Sequence, residues 1–63
     1  MAALILTANI PDPDGFYQEL TDAQRDLDEA AANDMNARLV LILANHIGDR
    51  AVLSEALALA APR

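Results

Sequence analysis

From Met35 to Asp49 the chain reads Met-Asn-Ala-Arg-Leu-Val-Leu-Ile-Leu-Ala-Asn-His-Ile-Gly-Asp, an apolar run closed by a glycine. Its spacing limits the folds open to the whole molecule. On a helical wheel Met35, Leu39, Ile42, Leu43, Ile47, Val40, Ala44, Ala37 and Leu41 sweep about 260° of the circumference, leaving a narrow polar strip of Asp34, Arg38 and Asn45. Two amphipathic neighbours from the same chain would cover about half of such an arc. The other half is expected to meet a second copy or a different protein.

The remaining sequence offers few other means of stabilisation. With 63 residues the chain forms one domain at most, near the lower size at which burial offsets conformational entropy. It has no cysteine and a single histidine, so neither a disulfide nor a structural zinc can staple it. Oligomerisation is the remaining route, and 54% hydrophobic residues supply the surface for it.

Reading from the start, Met1 to Pro11 shows no helical period, and Pro11 biases Ile10 toward extended geometry. Residues 1–11 are read as an N-terminal arm, with Leu4, Ile5 and Leu6 open to a short strand; in a free monomer the arm is expected to be disordered, and an arm swapped onto a neighbour is the minority reading. Residues 12–63 form a single helical domain. Asp12 is placed to cap the first helix, with Pro13 at its first position and Asp14 in its first turn. Phe16, Leu20, Ala23 and Leu27 give that helix a narrow apolar seam, bordered by Tyr17 with its hydroxyl at the rim.

No glycine or proline separates Phe16 from Ile47, so the break between the first two helices has to be found by phase. The first seam and the later apolar arc fall on opposite sides of a continuous helix, which predicts a break near Leu27 and Asp28. Asp28 then caps the second helix, with Glu29 in its first turn and Asn33 as the alternative cap. Gly48 is the expected left-handed residue after this helix, and Asp49 caps the last one, Arg50 to Ala61. The third helix is expected to bury Val52, Leu53, Ala56, Leu57, Leu59 and Ala60, and Pro62 and Arg63 end it. The fold class is therefore all-α: an αα-hairpin plus a C-terminal helix, completed by oligomerisation.

Charge narrows the range of partners. Asp12 to Asp34 holds eight acids against Arg25 alone, a segment net of −7 within a chain net of −6. Phosphate backbones and anionic lipid heads are repelled by such a surface, so neither nucleic acid nor membrane is expected as a partner. The absence of lysine removes Schiff-base chemistry and a P-loop. The first residues lack the basic region and the apolar length of a secretory signal, and no apolar run reaches the about 18 residues of a membrane span. A cytoplasmic location is expected.

Two polar residues fall inside the apolar arc. His46 sits between the directions of Met35 and Leu39 with Asp49 three residues on, and reads as a packed or hydrogen-bonded histidine at a helix end; an interface pH sensor and a general base are the alternatives. Asn36 lies near Leu43 and Ile47, where a paired amide fixes register between helices. Arg38 and Asp34 are spaced as an i, i+4 pair. The candidate interface is Met35, Asn36, Leu39, Val40, Leu43, His46 and Ile47. No catalytic, metal-binding or cofactor-binding residues are assigned, and the chain is not expected to be an enzyme. The alternative function is a small-ligand or cofactor pocket around His46 and Asn36. The Ala44 to Gly48 turn is also similar to that of a helix-turn-helix, but Ser54 stands where a buried aliphatic is usual and the charges of the following helix cancel, so DNA binding ranks last.

The runs Asp12-Pro13-Asp14-Gly15-Phe16-Tyr17 and Asn36 to Asp49 resemble a family of short bacterial proteins that form a domain of unknown function. In that family the residue before Leu27 tends to be glycine and that at Asp28 serine, which favours the break near Leu27; Asp26 departs from the pattern. The resemblance implies no activity and no site residues. It implies one partner class, flavin-dependent aromatic hydroxylases.

Overall fold

The computed structural model describes residues 3–62. Met1, Ala2 and Arg63 lie outside them, and with them the ends of the expected arm and domain. Three helices follow one another, α1 (Pro13–Ala23), α2 (Glu29–Ile47) and α3 (Arg50–Ala60), with no strand among the described residues. The fold is all-α. The short strand considered for Leu4 to Leu6 does not form, since a lone segment has no neighbour to pair with.

Each helix starts where a carboxylate can satisfy its free N–H groups. Asp12 Oδ1 accepts from the Gly15 amide at 3.1 Å, and Pro13 occupies the first turn without an N–H to orphan. A Cβ at Gly15 would come within 2.1 Å of the Asp12 carboxylate, so the cap and the glycine go together. Asp28 Oδ1 accepts from the Ala31 amide at 2.8 Å, and Asp49 Oδ1 from those of Ala51 and Val52 at 3.0 and 3.1 Å. Gly48 ends α2 at φ 69°, and its amide donates to the Ala44 carbonyl at 2.9 Å. Only two residues, Gly48 and Asp49, therefore separate α2 from α3.

The first helix is shorter than its apolar seam suggests. It ends at Ala23 rather than near Leu27, and the amides of Gln24, Arg25 and Leu27 bond three residues back, to Thr21, Asp22 and Gln24. This tight turn frees Asp28 to take the extended backbone, φ −74° and ψ 175°, that an N-cap needs. On the solvent side of α1, Arg25 pairs with Asp22, and Gln18 Nε2 donates to the same carboxylate at 3.0 Å.

Very little of the apolar surface is covered. Among the described residues Val52 is the one buried hydrophobic residue, and no two helices pack along their lengths. The molecule measures 40 × 25 × 25 Å with a radius of gyration of 13.5 Å, against about 10.6 Å for a compact chain of this length. Its accessible surface is 5624 Å², where a folded monomer of 6.7 kDa should expose about 3,900 Å². The chain thus leaves about 1,700 Å² more in water than its mass requires.

That deficit corrects several expectations. Tyr17 is 70% exposed and borders no core, and Phe16 and Leu27 are exposed as well. On α3 only Val52, Leu53 and Ala56 are covered to any extent, while Leu57, Leu59 and Ala60 face solvent. The apolar periodicity is present; within one chain nothing lies opposite it.

Candidate functional site

A concave apolar feature lies between α2 and α3. Both helices are amphipathic and meet at the two-residue corner fixed by the left-handed Gly48, so their apolar sides line a common groove. Val40, Leu41, Leu43 and Ile47 form the α2 wall, and Leu53, Leu57 and the small residues Ala56 and Ala60 form the α3 wall. The groove has a volume of about 650 Å³, and Arg50 is the one charged residue on it. Its larger side chains are open to water, Val40 at 61% and Leu41 at 70%. The Arg50 guanidinium donates to Ser54 Oγ at 2.7 Å along the first turns of α3.

The seven candidate interface residues separate into groups. Val40, Leu43 and Ile47 line the groove. Met35 and Leu39 are half-buried on a neighbouring face of α2 and do not. Asn36 is exposed, and its Oδ1 accepts a 2.6 Å hydrogen bond from Gln24 Nε2 in the turn after α1. This amide therefore ties α2 to the end of α1, a register role within the chain. His46 is exposed in the last turn of α2.

The expected setting of His46 is not found. Among the described residues no hydrogen bond or ion pair joins it to Asp49, whose Oδ1 is occupied by the two amides of α3. His46 and Asn36 lie ten residues apart on one helix, a rise of about 15 Å, and neither lines the groove. Among the described residues of one chain no pocket is built around both; the pocket expected around them is one at a subunit interface. The expected pair of Arg38 with Asp34 does not form either; the one ion pair among the described residues is Arg25 with Asp22.

Leu53, Ala56, Leu57 and Ala60 were not among the candidates. The signal was available in their spacing of three, one and three, which sets a strip on one side of α3. The broader arc of α2 drew the interface toward that helix alone.

Among the described residues no group of three or more histidine, aspartate or glutamate side chains is placed to hold a metal. Nor is any helix among the described residues long and apolar enough to cross a membrane. A family model matches residues 4–62. The chain belongs to that family, described as protein of unknown function (DUF2783). No curated protein and no solved structure matches it. The family match spans all three helices and both walls of the groove, so the groove lies inside the family's domain.

Proposed function

We propose that this chain is a non-catalytic helical interaction module, a small cytoplasmic accessory or assembly protein that acts through an oligomeric interface. The observation that carries this reading is the apolar groove of α2 and α3, open to water where only Val52 is buried among the hydrophobic side chains of the described residues. A groove walled by valine, leucine and isoleucine offers apolar contact and few polar groups with which to orient a small substrate. It suits another protein's apolar face better than it suits chemistry. A different protein on this face, including the hydroxylase class implied by the resemblance, would use the same contacts as a second copy.

Gel filtration with light scattering tests the reading. The expected result is a particle of at least twice the 6.7 kDa chain mass, or, for a chain that needs a different partner, a monomer without a cooperative unfolding transition. A well-folded monomer at low micromolar concentration contradicts it.

A further inference from the structure

We propose that the occupant of the groove is a second copy of this chain, docked about a two-fold axis with the two α2 helices antiparallel. The inference rests on the interaction reading above and goes beyond it in naming the partner, the helix that enters and its direction.

Three observations carry it. The first is area. An obligate homodimer buries about 2,000–5,000 Å² in total. The surplus of about 1,700 Å² per chain, counted over the whole chain with its exposed N-terminal segment, falls within that range when doubled over a pair. A small ligand would cover only part of it.

The second is symmetry. Asn36, Val40, Leu43 and Ile47 recur at spacings of four, three and four, which keeps them within about 60° of one another around α2. The series reads the same in both directions. A two-fold axis midway between Val40 and Leu43 sets Val40 opposite Leu43 of the second copy and Asn36 opposite Ile47. A two-fold interface demands this kind of self-complementarity, in which residue i meets j and j meets i. The one polar member of the series, Asn36, stands at its outer end: its carbonyl oxygen is bonded by Gln24, and its amide N–H groups stay at the open edge of the pairing, where water satisfies them.

The third is charge. Eight of the ten acids lie from Asp12 to Asp34, and α2 ends near His46 and Arg50. Parallel helices would set the two copies of Glu29 and of Asp34 side by side, the acids of that segment that α2 itself carries. The antiparallel arrangement sends them to opposite ends, with the acidic start of each α2 toward the end of the other that leads into Arg50. The helix dipoles oppose in the favourable sense as well.

Single cysteines introduced into the full-length chain, which has none of its own, test the arrangement with a short bis-maleimide linker. Leu43→Cys and Val40→Cys each lie one and a half residues from the axis, so the two copies of either are separated by about 5 Å along the helices. The copies of Glu29→Cys are separated by about 37 Å along them. The expected result is that most chains carrying Leu43→Cys or Val40→Cys run as a covalent dimer, and that Glu29→Cys stays at background. Using both inner positions guards against either variant failing to fold. A dimer that links through Glu29→Cys and not through the inner pair overturns the inference and leaves the interaction reading standing. A monomer without cooperative unfolding also overturns the second-copy occupant while leaving the need for a partner. A stable, cooperatively unfolding monomer overturns both.

Discussion

The corner between α2 and α3 sets the groove's geometry, and Gly48→Ala is the sharpest perturbation of it. Gly48 has φ 69°, a region that a Cβ disfavours by roughly 1–2 kcal/mol. A Cβ there would lie 3.7 Å from the Asn45 carbonyl oxygen, an ordinary contact, so the penalty is backbone strain without an added clash. In a domain of this size, about 4–8 °C in melting temperature is lost per kcal/mol, which predicts a fall of roughly 5–15 °C for Gly48→Ala. Gly48→Asn is the control, since asparagine tolerates the left-handed region, and it should lose less than half as much. Both are read from circular-dichroism melts at one fixed protein concentration, because association shifts apparent stability by mass action. A Gly48→Ala melt equal to or above that of the unaltered chain would refute the left-handed corner and the groove built on it.

Three further outcomes follow from named contacts. Asp49→Ala leaves the amides of Ala51 and Val52 without their carboxylate acceptor, and should cost about 1 kcal/mol and lower the far-ultraviolet helical signal. A double-mutant cycle on Gln24→Ala and Asn36→Ala should give a coupling of roughly 0.5–1 kcal/mol in denaturant unfolding, and a zero coupling would mean that the amide pair does not tie α1 to α2. Leu43→Asp places a charge on a residue that is 46% exposed in the single chain, so its main effect should be on association: the light-scattering mass falls to that of one chain.

The sequence carried the helix boundaries where a local chemical cause exists. Asp12 with Pro13, Asp28, Gly48 and Asp49 all act on backbone groups within three or four residues, so their roles follow from order along the chain alone. The end of α1 was less legible. The turn from Gln24 to Leu27 contains neither glycine nor proline, and the contact that accompanies it is a long-range one, the hydrogen bond from Gln24 to Asn36. Burial was the least legible property, because it depends on what stands opposite. Leu57 belongs to a clear apolar face and is nonetheless 67% exposed. The same reasoning explains the interface candidates. The wheel showed that α2 has too much apolar surface, but only the corner at Gly48 determines that α3 supplies the other wall and that Met35 and Leu39 lie outside it.

The central claim is that folding of this chain is completed by association, and the dependence of its unfolding midpoint on concentration tests it most directly. At about 0.7 kcal/mol per residue, two chains of 63 residues have an unfolding enthalpy near 90 kcal/mol. Mass action then raises the midpoint by roughly 5 °C for each tenfold increase in protein concentration. A rise of that size across two decades of concentration is the predicted result, and a sharp, cooperative midpoint that stays fixed over the same range would contradict the account.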